Sequence, residues 1–155
     1  GKTQVLLQML LRVQLPEEDG GLNRKAVYIC TEGEVPIARL QSIAMSLAES
    51  RPDLFSGADA LMRNVFIEKA STPQEMLSVV QERLPLLMDK DDVGLIALDS
   101  VAAPVRFEEG FNGKENASVR SDLLFRLASE LKNLSSRRNC VCLVSNQVVD
   151  LMDDS

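Results

Sequence analysis

Histidine is absent from the 155 residues, which removes the Ser-His-Asp and Cys-His arrangements and every histidine-ligated metal site. Any chemistry must rest on carboxylates, Lys, Arg, hydroxyls or amides. Tryptophan is also missing and Tyr28 is the sole tyrosine, so few aromatic platforms are present on which single-stranded bases could stack. Cysteine is sparse: Cys30, Cys140 and Cys142 are odd in number and lack C-x-x-C spacing. They support neither a disulfide framework nor a zinc site, and suggest a reducing, intracellular setting. With 8 glycines and 6 prolines the chain is too poor in both for a fibrous or low-complexity protein. No apolar run approaches the roughly 20 residues of a membrane span, because Gln8 and Arg12 interrupt the most apolar stretch, 5–13. No secretory leader and no membrane partner are expected. Positive charge is lacking too. A net charge of −6 and a pI near 4.7 argue against binding polyanions by bulk charge, so nucleic-acid contact would need a local basic loop.

Hydrophobic residues at 45% and charged residues at 26% fit an ordinary globular domain, and the length suits one core. Nearly continuous β-branched runs at 26–30, 64–68, 94–98 and 141–145 predict four strands covered on both faces. Helical periodicity falls between them, at 2–14, at 36–50, from a capped start at Thr72-Pro73-Gln74-Glu75 through residue 84, and at 118–135. Segments 16–24 and 106–116 read as loops. The alternation predicts a mainly parallel α/β sheet sandwiched by helices, doubly wound or related, while strand order is not legible. Because the helical pattern is already under way at residue 2, the chain reads as one partial domain over 1–155, truncated at both ends.

Four positions carry candidate chemistry. Gly1-Lys2-Thr3 runs straight into an apolar helix, as at the end of a G-x-x-x-x-G-K-[ST] phosphate loop; Lys2 would reach the phosphates and Thr3 a Mg²⁺ ion. A polar helix start is the plain alternative. Asp99 closes the apolar run 95–98, where nucleotide hydrolases place a metal-holding acid, though turns also favour Asp. Glu32 follows the run 26–30 and could orient an attacking water or stay a solvated acid. Gln147, past the run 141–145, could bind a phosphate oxygen or merely finish a loop. All four fall at one end of consecutive strands or at a helix start, the edge where open α/β sheets bind ligands, and that coincidence favours nucleotide binding.

Gly1-Lys2-Thr3-Gln4, Tyr28-Ile29-Cys30-Thr31-Glu32-Gly33 with Arg39-Leu40, Leu95-Ile96-Ala97-Leu98-Asp99-Ser100 and Ser145-Asn146-Gln147-Val148 resemble, in order and spacing, the RecA/RadA family of recombination ATPases. Finer features, including Val13-Gln14-Leu15-Pro16 and Asp99-Ser100-Val101-Ala102-Ala103-Pro104, are similar to a eukaryotic paralogue branch. The resemblance implies a RecA-like P-loop NTPase core with ATP and Mg²⁺ as cofactors. Gly1, Lys2, Thr3 and Gln4 would cradle phosphate, Arg39 would lie against adenine, and Thr3 and Asp99 would hold the metal. Glu32 would position the water and Gln147 would sense the γ-phosphate. A first DNA-binding loop would span 106–120, with Arg106, Lys114 and Arg120 as its basic residues. Glu108, Glu109 and Glu115 offset them, so autonomous DNA binding is expected to be weak.

On that resemblance the chain is expected to be an ATP-binding subunit in homologous-recombination repair. Nucleotide would support assembly with a sister paralogue, beside the main recombinase filament, on single-stranded or branched DNA, in the nucleus with a cytoplasmic pool. ATP hydrolysis would be weak and DNA-dependent. Two alternatives stand beside it: an autonomous DNA-dependent ATPase performing strand exchange, and a nucleotide-free structural adaptor. A neighbour's hydrophobic peptide, in the family, docks near 64–70 and the helix carrying Met76 and Val80, although ordinary core packing is the plainer reading of those residues. Cys140 and Cys142, two residues apart, read as core thiols on one face.

Overall fold

The computed structural model describes residues 1–101 and 117–146. Among the described residues four strands form one sheet: β1 (Lys25–Cys30), β2 (Val65–Lys69), β3 (Val93–Asp99) and β4 (Val141–Val144), in the order β2-β1-β3-β4. Every pairing is parallel, as the continuous apolar runs predict. The helices are α1 (Lys2–Arg12), α2 (Ile37–Ser50), α3 (Ala58–Met62), α4 (Pro73–Ser78), α5 (Leu84–Lys90) and α6 (Ala117–Arg138).

Alternation along β1 sorts the core into two layers. Ala26, Tyr28 and Cys30 join Leu7, Leu10 and Leu11 of α1 and Leu40 and Ala44 of α2 on one face. Val27 and Ile29 face Met76, Val79, Leu84 and the α6 residues Leu127, Leu131 and Leu134 on the other. Successive strand residues point to opposite faces, so a strand with helices above and below must be apolar throughout. Met76 and Val80 are buried in that second layer, the core-packing reading of these residues. Cys140 is buried and Cys142 half-buried, and both sit against the second layer, although Cys140 lies one residue ahead of β4.

Some boundaries differ from the sequence expectation. The helix expected to stop near residue 84 continues through a π-turn, Val79–Arg83, into α5. Pro85 lacks an N–H and would crowd the carbonyl four residues back in a regular helix; the widened turn just before it relieves that conflict. Thr72 caps α4 at the expected place by accepting from the Glu75 N–H at 3.1 Å, while the Glu75 carboxylate accepts from the N–H of Ser71, the residue before the cap, at 2.6 Å. Helix α1 ends at Arg12 rather than Gln14. Gln14 is instead buried, its amide donating to the Leu10 and Leu61 carbonyls at 3.2 and 3.1 Å. The five-residue α3 was not expected, being too short to show periodicity.

The segment 16–24 folds tightly. A 3₁₀ turn over Glu17–Asp19 ends at Gly20 with φ of 86°, a left-handed conformation that glycine adopts without strain. At Gly21 a Cβ would stand 2.0 Å from the Leu15 carbonyl oxygen, so the chain crosses itself where only glycine fits. Arg24 then joins three elements. It pairs with Asp92 at 2.8 Å and donates to the carbonyls of Val93 at 2.7 Å, Asn139 at 2.5 Å and Arg138 at 3.2 Å.

Candidate functional site

Strands β1 and β3 are neighbours with Cys30 opposite Asp99, so their carboxyl ends finish level. The chain leaves β1 toward β2 on one side and returns to β3 on the other, which makes the gap between these two ends the switch point of the sheet. Thr31 stitches it closed. Its N–H donates to the Asp99 carbonyl at 3.0 Å, its hydroxyl to the Ser100 carbonyl at 2.6 Å, and it accepts from the Ser100 N–H at 2.8 Å. The Asp99–Ser100 peptide is cis.

Helix α1 lies over β1 and β3 through Leu6, Leu7, Leu10 and Leu11, and this packing brings its N-terminus to the same edge. The Thr3 hydroxyl donates to Asp99 Oδ2 at 2.8 Å. Thr3, Glu32, Asp99 and Ser100 together line a cleft of about 180 Å³. The helix start offers N–H groups without intrahelical partners and a positive dipole end at this edge, an arrangement that suits an anion.

Two further hydroxyls converge on the same carboxylate. Tyr28 donates to Asp99 Oδ2 at 2.8 Å and Ser145, just past β4, donates to Asp99 Oδ1 at 2.7 Å. Burial, and then the Asp99 contact, push the Tyr28 phenol well above the ordinary tyrosine range, so it remains a donor. Burial also raises the Cys30 thiol, which keeps it neutral. Lys2 Nζ donates to the Asn146 carbonyl, tying the start of α1 to the end of β4.

Thr3, Glu32 and Asp99 are therefore brought together as the sequence predicts, with Lys2 and Gly1 at the same helix start. Gln4 is half-buried with an unpaired side-chain oxygen, and it does not line the cleft. Arg39 is exposed in the first turn of α2, outside the cleft lining. Gln147, Arg106 and Lys114 lie outside the described residues. Arg120, expected in the DNA-binding loop, belongs instead to α6, where the helical periodicity expected from residue 118 already holds. Tyr28, Thr31, Ser100 and Ser145 were not singled out by the sequence. For Tyr28 the signal was there: a lone phenol at period two from Cys30, facing α1, must find a partner for its hydroxyl when buried.

Oxygen dominates the donor set, as hard divalent cations prefer. Ser100, 1% exposed, points an unpaired hydroxyl oxygen from the cleft wall, a buried polar atom that needs a partner. Among the described residues no three acidic or thiol side chains cluster. A cation here would draw its remaining ligands from phosphate and water, the usual situation of Mg²⁺. The residues fit a Mg²⁺–phosphate group.

Comparison with known proteins agrees with this geometry. The chain is 38% identical to the DNA repair protein XRCC3 of Bos taurus, over 99% of this chain and 45% of the relative. It is 33% identical to the DNA repair and recombination protein RadA of Aeropyrum pernix, over 96% of this chain and 44% of the relative. It is 32% identical to the DNA repair protein rhp57 of Schizosaccharomyces pombe, over 97% and 45%. The chain thus spans a little under half the length of these relatives. A Rad51 family model matches residues 1–155, so with its all-parallel sheet and a helix start bonded to the strand-end acid, the chain belongs to the Rad51 family.

Proposed function

We propose that this chain is the nucleotide-binding core of a recombinase paralogue acting in homologous-recombination repair of DNA breaks. The observation that carries the reading is the 2.8 Å bond between Thr3 and Asp99, beside Glu32 and at the N-terminus of α1. When bound there, Mg²⁺ would neutralise phosphate charge. Thr3 and Asp99 would hold it. Lys2 would exchange the Asn146 carbonyl for phosphate, since an ammonium is attracted more strongly to an oxyanion than to a neutral carbonyl. Glu32, at the cleft wall, would orient a water toward the terminal phosphate. Arg39 would stack on the base, and Gln147 would read the γ-phosphate.

The similarity to XRCC3 and rhp57, both DNA repair proteins by name, supports a paralogue that works beside the main recombinase filament in the nucleus. ATP would stabilise its contact with a sister paralogue on single-stranded or branched DNA, and turnover would be slow. The net charge of −6 supports assembly over autonomous strand exchange, because a protein that grips DNA by itself needs several cationic phosphate contacts.

The test is Mg-ATP binding and hydrolysis by the full-length protein, alone, with its partner and with single-stranded DNA, beside Lys2→Ala. Tight binding that depends on Lys2, with little turnover, is the expected result. Fast DNA-stimulated hydrolysis by the protein alone would make it a strand-exchange motor. Absence of binding would leave the structural adaptor.

A further inference from the structure

Asp99 is gripped from three elements besides its own strand. Oδ2 accepts from Thr3 of α1 and from Tyr28 of β1, each at 2.8 Å, and Oδ1 accepts from Ser145 beyond β4 at 2.7 Å. An ionised carboxylate offers about four acceptor positions. Three are filled, and one on Oδ1 remains. A carboxylate torsion is otherwise broad and nearly free, so these bonds decide which oxygen is available. A buried tyrosine normally satisfies its hydroxyl somewhere, and a backbone carbonyl would do. Tyr28, 2% exposed, instead meets the carboxylate that accepts from Thr3.

We infer that Tyr28 is a positioning residue for the metal-dependent part of nucleotide binding: its hydroxyl, with that of Ser145, fixes the Asp99 carboxylate so that the remaining Oδ1 position and the Thr3 hydroxyl face a divalent cation together. The inference rests on the Mg-ATP reading above. Groups that orient a metal-holding residue typically matter tenfold or more to metal affinity. Phenylalanine keeps the ring that packs between α1 and the sheet and removes only the donor, so the substitution isolates the bond from the packing.

The experiment compares wild type, Tyr28→Phe and Ser145→Ala in the full-length protein, with binding of a fluorescent ATP analogue followed across a Mg²⁺ titration and again in EDTA. In Tyr28→Phe the Mg²⁺ midpoint should rise about tenfold, with affinity in EDTA unchanged, and Ser145→Ala should shift it in the same direction. A second signature needs no turnover. The wild type minus Tyr28→Phe absorbance difference, which cancels any other tyrosine, should shift when Mg²⁺ and nucleotide are added. An unchanged midpoint in both variants, beside a wild type that binds Mg-ATP, overturns the inference and leaves the nucleotide reading intact. Equal losses with Mg²⁺ and in EDTA also overturn it, because they would make Tyr28 a packing residue. A wild type without Mg²⁺-dependent binding overturns the reading beneath it.

Discussion

Asp99 accepts from three hydroxyls, so its negative charge organises the cleft even before a ligand arrives. Asp99→Asn would set an amide N–H₂ against groups that are themselves donors. We expect a loss of about 1–3 kcal/mol of stability in a urea titration, together with at least tenfold weaker Mg²⁺-dependent nucleotide binding. Tyr28 gives the site a pH signature. Its folded pKa is raised above the unfolded value of about 10, so above that pH the unfolded chain binds fewer protons than the native one. The Tyr28 contribution to stability is full below pH 10 and declines as pH rises further. In Tyr28→Phe the stability curve above pH 10 should therefore be flatter, which urea midpoints between pH 9 and 11 would measure. Gly21 sets a purely steric limit. With a Cβ only 2.0 Å from a backbone oxygen, Gly21→Ala should cost about 2–4 kcal/mol, and a thermal melt would detect it.

At the scale of elements, Arg24 is the tie between the amino end of β3 and the turn from α6 into β4. Its side chain is 18% exposed, and its Cβ lies 2.8 Å from where a side chain on Gly94 would begin, so arginine and glycine fit as a pair. Arg24→Ala removes the donor from three carbonyls, while the Asp92 carboxylate, 74% exposed, turns to water, and we expect about 2–3 kcal/mol of destabilisation by urea unfolding. Thr72→Ala should cost about 1 kcal/mol by removing the α4 cap. The strands were legible because each is built on a short apolar run, and Thr72 with Glu75 was legible as a cap from spacing alone. The π-turn was not, since Pro85 signals an ending to any local reading and only the packing of Val79, Val80 and Leu84 into the second layer carries the helix past it. Strand order was illegible for a similar reason: which run lies beside β1 depends on how helices cover both faces. Within the site, motif spacing found Thr3, Glu32 and Asp99. The hydroxyls of Tyr28 and Ser145 belong to no spacing pattern and become visible only once the ends of β1, β3 and β4 stand side by side.

For the whole molecule, the chain belongs to the Rad51 family, and the proposed function puts nucleotide at the edge where α1, β1, β3 and β4 meet. A ligand at a hundred times its dissociation constant stabilises the native state by about 2.7 kcal/mol, so Mg-ATP should raise the melting temperature while ATP in EDTA raises it less. The bond from Lys2 to the Asn146 carbonyl bears on this directly. A phosphate that draws Lys2 away from that carbonyl would loosen its hold on the β4 end, so nucleotide occupancy and the attachment of the β4 end would then compete for one ammonium group. By reciprocity, anything that draws the β4 end away from α1 would strengthen nucleotide binding, and by the same factor nucleotide would favour that displacement. Lys2→Ala is accordingly two experiments in one: besides weakening phosphate binding, it unties β4 from α1, and its effect on hydrogen exchange at 141–146 should already be present with no nucleotide in the tube.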